Sequence, residues 1–242
     1  MIQIKLTPNY AGMEMVGTRD DFELLYESLH FVVGEEDEYP SMQNARLRVL
    51  GLCYDLRHAM MGHREYEYVN HGLDSDTMKW MGIVGPEKNL LLSFNTYYPE
   101  MIFIHLCLED FIKEYQKSNK THPNWDIHVN AVRLFQASVV RALRDEIKPS
   151  MFRSIISHMK SAKFISFRYM TQYLDSLNIR YLNWDAEKRL KNISVIVKRI
   201  AVKDAEYIRA QKEIIEAAIE YGVTESEIAY DTEYPDYDSI DW

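Results

Sequence analysis

The chain is poor in the features that announce a function. It has two cysteines in 242 residues, Cys53 and Cys107, each inside an apolar stretch with no CxxC and no Cys/His partner at zinc spacing. That excludes a disulfide scaffold and the common zinc motifs, and fits a reducing cytoplasm. No run approaches the ~18 consecutive apolar residues of a membrane span, and Met1-Ile2-Gln3-Ile4-Lys5 lacks the charged-then-apolar pattern of a signal peptide. No Gly-rich phosphate loop, GxSxG elbow or HExxH occurs, which argues against the commonest nucleotide, α/β-hydrolase and zincin sites. No cofactor is called for, and no motif names a reaction. Internal repeats and Ser/Gly linkers are missing too. With 47% hydrophobic residues and a net charge of -9, the composition is that of an ordinary globular protein.

Basic residues are missing altogether from one segment, and that exposes a pattern. Residues 1–140 hold 12 basic and 20 acidic residues, a balance of -8. Residues 141–213 hold 16 and 8, a balance of +8, and residues 214–242 hold 9 acidic and none basic. Solvated helix faces and a frayed terminus produce such blocks. So does an electrostatic contact within the chain or between chains.

Alternation in Ile2-Gln3-Ile4-Lys5-Leu6 and Met13-Glu14-Met15-Val16, around Pro8 and Gly12, predicts a β-hairpin. Thr18 or Asp20 caps a helix with Phe22, Leu25, Leu29 and Val32 or Val33 on one face, ending at Gly34. Ser41 is the next N-cap, for a helix with Ala45, Val49, Leu52, Cys53, Leu56 and Met60 in one stripe, stopped by Gly62. Glu65 to Val69 and Leu90 to Phe94 read as strands, completing a sheet of about four. From Pro99 the pattern is helical. Met101 to Leu108 is nearly all apolar, and Thr121 and Pro123 open a helix with Trp125, Val129, Val132, Gln136, Val139 and Leu143 on one face. Phe152 to Leu177 makes one or two helices, and Asn183 or Asp185 caps a long one reaching about Tyr221, with room for a break near Val202-Lys203-Asp204. The expected fold is α+β and predominantly helical: a small N-terminal antiparallel sheet packed on helices, then a helical bundle with one long helix. Residues 1–222 are expected to form a single domain, mixed over residues 1–97 and helical over residues 98–222, followed by an acidic, aromatic tail over 223–242.

Thr7-Pro8-Asn9-Tyr10-Ala11-Gly12, Glu36-Asp37-Glu38-Tyr39-Pro40, Ala45 to Ala59 and Met61-Gly62-His63-Arg64-Glu65 resemble a family of uncharacterised bacterial proteins known only as a domain of unknown function. The resemblance is strongest over the first 110 residues. In that family an acidic residue would be expected where His63 stands. The resemblance implies a bacterial or phage cytoplasmic protein and carries over no activity, cofactor or catalytic residue.

Three sets of residues are candidates for chemistry. Asp55 and His58, three apart on the polar side of the second helix with Arg46, Arg48, Tyr54 and Arg57, have the spacing for a carboxylate that orients an imidazole, hence for a small metal-assisted hydrolase. The same residues also suit ion pairing to the acidic first helix and to Glu35–Glu38. His105 and Glu109 stand four apart on the most apolar helix and are candidate metal ligands, or mark its one exposed edge. The third set favours binding. Arg189, Lys198 and Arg199 belong to a basic helical face, and Tyr234, Asp236, Tyr237, Asp238 and Trp242 to a tail that interleaves carboxylates with rings, a composition unlike plain acidic disorder. The expected function is a non-catalytic interaction protein using this face and tail to bind a protein partner or a second copy. Basic residues interleaved with aromatics also suit single-stranded nucleic acid, but the overall acidity and the lack of a dedicated motif argue against it. No membrane contact is expected.

Overall fold

A computed structural model describes residues 1–118, 124–166, 169–229 and 233–242. Strands β1 (Gln3–Leu6) and β2 (Gly12–Gly17) form the expected hairpin, with Leu6 opposite Met13 and Gln3 opposite Val16. The Thr7 hydroxyl closes the turn by accepting the Gly12 N–H at 2.9 Å. Helix α1 (Arg19–Val33) starts at Thr18, whose hydroxyl takes the Asp21 N–H while the Asp21 carboxylate reaches back to the Thr18 N–H.

Helix α2 (Gln43–Met60) begins later than Ser41 suggests. Pro40 suits the first position of a 3₁₀ turn over Pro40–Met42, so Ser41 lies inside that turn and makes no cap. The anticipated apolar stripe of α2 is buried from Ala45 to Ala59. Strands β3 (Glu65–Asn70) and β4 (Lys88–Tyr97) follow, with a short helix α3 (Ser75–Met81) between them that the sequence pattern missed. Asp74 caps α3 through the Thr77 N–H at 2.7 Å. The order β1-β2-β4-β3 is antiparallel throughout, with Met15 opposite Phe94 and Tyr66 opposite Leu92. Met13, Met15, Leu92 and Phe94 are buried, while Glu14, Ser93 and Asn95 at alternate positions stay partly open.

Helix α4 (Tyr98–Ser118) is the axle of the molecule. It is buried from Met101 to Leu108, and α1, α2, α5, α7 and α8 all lie against it. The rest of the bundle is α5 (Ile127–Glu146), α6 (Pro149–Ser161), α7 (Met170–Leu182), α8 (Ala186–Val202) and α9 (Ala205–Tyr221). The Thr121 and Pro123 helix start lies outside the described residues. Asp126 caps α5 instead, and Trp125, expected on its apolar face, precedes it and is 82% exposed. The long final helix is two. Lys203 turns left-handed at φ 52° and donates its ammonium to the Phe164 carbonyl, and Asp204 caps α9, so the break falls where Val202-Lys203-Asp204 allowed one. The fold is α+β and mostly helical, with a four-stranded antiparallel sheet. Among the described residues no helix is long and apolar enough to cross a membrane.

Candidate binding cleft

On α2, Leu47, Arg48, Gly51 and Asp55 recur at helical spacing on the side away from the buried stripe, and all four line a cleft of about 960 Å³. Its other walls come from β4, the start of α4 and the C-terminal segment. Three helices meet at its floor. Arg48 of α2 lies 3.6 Å from the Glu100 carboxylate of α4 and 2.5 Å from that of Asp175 on α7. Asn178, fully buried one turn on, donates to Glu100 Oε2 at 2.7 Å and to the Tyr234 oxygen at 3.1 Å. Tyr234 in turn donates to Asp175 at 2.5 Å.

The charges of the floor are set by burial and pairing together. Burial pushes the Glu100 carboxyl above its ordinary value, against the pull of Arg48 and Asn178. Burial also opposes the Arg48 charge, but Glu100 and Asp175 outweigh it and hold the guanidinium firmly protonated. At the rim Arg64 binds Asp55 Oδ1 through Nη2 at 2.7 Å and Nε at 3.3 Å.

The final residues build the remaining wall. Tyr97 of β4 lies between Tyr234 and Trp242, with ring centroids 5.6 and 5.7 Å away and planes within 18° and 13° of parallel. Trp242 and Tyr237 meet at 56° with centroids 5.0 Å apart. Gly12 makes this seat possible. A Cβ there would stand 2.2 Å from the Thr96 carbonyl oxygen and 2.7 Å from a Trp242 ring carbon. The segment is tied at both ends: Gln172 donates to the Glu225 and Ile228 carbonyls at 2.7 and 2.8 Å, and Asn9 donates to the Asp241 carboxylate at 2.6 Å. Ile240 is buried against Ala11 and Leu182. The C-terminal segment therefore docks on its own chain.

The residues singled out by sequence are spread over the molecule. Asp55 reaches the cleft but hydrogen-bonds Arg64, whereas the His58 ring lies tilted by 38° against Tyr54 with centroids 4.1 Å apart, and its Nδ1 lies 3.2 Å from His63 Nδ1. The spacing that put Asp55 and His58 on one face did not pair them, because Arg64, in the turn between α2 and β3, takes the carboxylate. His105 is 8% exposed with no partner for Nδ1, and burial lowers its pKa to about 4, so the ring is neutral. Glu109 pairs with Arg133. Among the described residues no three His, Cys, Asp or Glu side chains are grouped to hold a metal ion.

Of the basic set, Arg189 is 3% exposed and spends its guanidinium on the carbonyls of Tyr181, Leu182, Asn9 and Asp241. Arg199 pairs with Glu206, and Lys198 remains exposed on α8. Tyr234, Tyr237, Asp238 and Trp242 all line the cleft, while Asp236 caps the 3₁₀ turn Tyr237–Ser239 through the Asp238 N–H. Tyr230 and Asp231 of the tail, and Phe167 and Arg168 of the basic block, lie outside the described residues. Sequence reasoning missed Tyr97, Glu100, Asp175 and Asn178. One signal pointed to Glu100: it is a lone carboxylate at the head of the most apolar run, where an unpaired charge would be costly.

No curated protein and no solved structure matches the chain. A family model described as a domain of unknown function, DUF6904, matches residues 2–242. The chain belongs to that family.

Proposed function

We propose that the protein is a non-catalytic interaction protein whose recognition site is the cleft between α2, β4 and the C-terminal segment, and that a segment of a partner protein enters it. The observation that carries this reading is the docking of the C-terminal segment in cis, which turns an open groove into a walled cleft of about 960 Å³. That is the size range of sites for ligands and inserted side chains. The cleft's arginines support binding over hydrolysis. Arg48 is engaged by Glu100 and Asp175, and Arg64 by Asp55, so these paired groups hold shape and charge rather than stand free to move protons.

Gly51 provides the test, because a Cβ placed there meets nothing within 4 Å. In Gly51→Trp the indole would fill the cleft from a helical position that any residue can adopt. A random peptide library is to be panned on the full chain and on Gly51→Trp in parallel. The reading expects peptides enriched on the first to lose binding to the second; enrichment that is indifferent to the substitution, or none at all, contradicts it.

A further inference from the structure

The cleft is unevenly charged. Of its lining carboxylates, Asp55 and Glu100 are neutralised by Arg64 and Arg48, the cleft's two guanidinium groups. Glu14 has Lys5 opposite it across the β1–β2 pair, though no ion pair forms between them. Glu65 and Asp238 are exposed at the mouth, and among the described residues neither has a basic partner. An anionic ligand would meet two spent arginines and a surplus of negative charge.

The aromatic wall adds a second preference. Tyr237 and Trp242 present ring planes at 56° beside these carboxylates, and Tyr237 feels the charges of Asp55, Arg64 and Glu65. Ring faces attract cations electrostatically, most strongly where an organic cation spreads its charge over a flat or methylene-rich surface. A calcium or magnesium ion would need six or more converging oxygens, and these carboxylates are dispersed among rings. Two angled rings and two exposed, unpaired carboxylates at the mouth of the cleft match a guanidinium or alkylammonium group on a stem.

We infer that the cleft takes a positively charged side chain, an arginine or lysine of the partner segment, with Glu65 and Asp238 as counter-charges and Tyr237 and Trp242 as ring faces. The inference rests on the binding role proposed above. Such a side chain packs its methylenes against apolar surface while its charged head keeps polar contact, and the cleft offers both rings and carboxylates.

The test uses the full chain and three probes in calorimetric titration: acetyl-Gly-Arg-Gly-amide, the same peptide with citrulline, which is neutral and nearly isosteric, and free methylguanidinium. The arginine peptide is expected to bind at least about tenfold more tightly than the citrulline peptide, the size of an effect worth ~1.4 kcal/mol. The double variant Glu65→Gln/Asp238→Asn, both positions exposed and outside the core, is expected to remove most of that preference with its melting temperature unchanged. Equal binding of arginine and citrulline peptides, no heat from either, or an unaltered preference in the double variant overturns the inference. Methylguanidinium binding as tightly as the arginine peptide upholds the cation site and points to a free small cation instead of a partner's side chain. Library peptides that depend on an open Gly51 cleft yet carry no arginine or lysine overturn the cation inference while leaving the binding role intact.

Discussion

The Tyr234 phenol donates to the Asp175 carboxylate at 2.5 Å, across 59 residues of chain. Burial and the carboxylate beside it both push the phenol's pKa well up, so it stays a donor at any ordinary pH. Through Asp175 the tail is linked to Arg48, and through Arg48 to Glu100. The acidic C-terminal segment thus ends on a carboxylate network rather than on exposed lysines.

That network has unequal members. Replacing Arg48 by Met leaves Glu100 buried with only Asn178 beside it, and should cost about 3 kcal/mol in denaturant unfolding. Glu100→Gln removes a charge whose burial already outweighs its partners, and should change stability by less than about 1 kcal/mol. The pH sense follows from the raised Glu100 pKa: the folded state holds that proton more tightly than the unfolded chain, so this group's contribution declines as pH rises from about 4.5. Arg48→Met should steepen that decline, read as melting temperature against pH. Equal losses for Arg48→Met and Glu100→Gln would contradict this account of the floor.

His105 should give the opposite pH sense. Its folded pKa of about 4 lies below the ordinary 6.5, with Glu109 and Arg133 its charged neighbours. The folded state therefore binds fewer protons, and stability should fall as pH drops from 6.5 towards 4, by up to about 3 kcal/mol. His105→Leu should flatten the stability profile across that window. A profile that keeps its slope in the variant would place the acid sensitivity elsewhere.

Arg189 ties the turn at Asn9 to the last residues, donating to the Asn9 carbonyl at 3.1 Å and to the Asp241 carbonyl at 2.6 Å. Arg189→Met takes a donor from four carbonyls, of which Tyr181's keeps the Trp184 N–H, and should cost about 2–4 kcal/mol. Amide exchange should quicken at the Asn9 and Trp242 N–H groups more than in α4. Uniform loss of protection would mean that Arg189 serves the bundle as a whole and not the tail.

At Gly12 the backbone itself is the device. Gly12→Ala forces the Thr96 carbonyl and the Trp242 ring apart, with an expected cost of at least about 2 kcal/mol and a red-shifted, more quenchable tryptophan emission. A folded variant with unchanged emission would show that Trp242 does not sit on that glycine.

Much of the architecture was readable because local patterns and burial agree. Thr18 with Phe22, Leu25 and Leu29 specifies α1, and the alternation of Ile2 to Leu6 and Met13 to Val16 specifies the hairpin. Helix α3 escaped because seven residues between two strands carry too short a period to register. The tail was legible as a docking segment from its rings and carboxylates. Its destination was not, because the receiving groups are scattered: Tyr97, Glu100, Asp175 and Asn178 come from β4, α4 and α7 and meet only after those elements pack. Arg189 misled for a related reason. In sequence it belongs to a basic run, and only the closeness of four carbonyls shows it to be an internal strut.

The central claim is that the walled cleft is where recognition happens. The most direct measurement is a titration of ¹⁵N-labelled protein with the arginine peptide, followed by amide and indole chemical shifts. The account expects the Trp242 indole N–H and the amides of Gly51, Asp55, Asn95 and Tyr237 to move together and saturate. Shifts confined to α6 and α8, around Lys160 and Lys198, with the Trp242 indole unmoved, would contradict it.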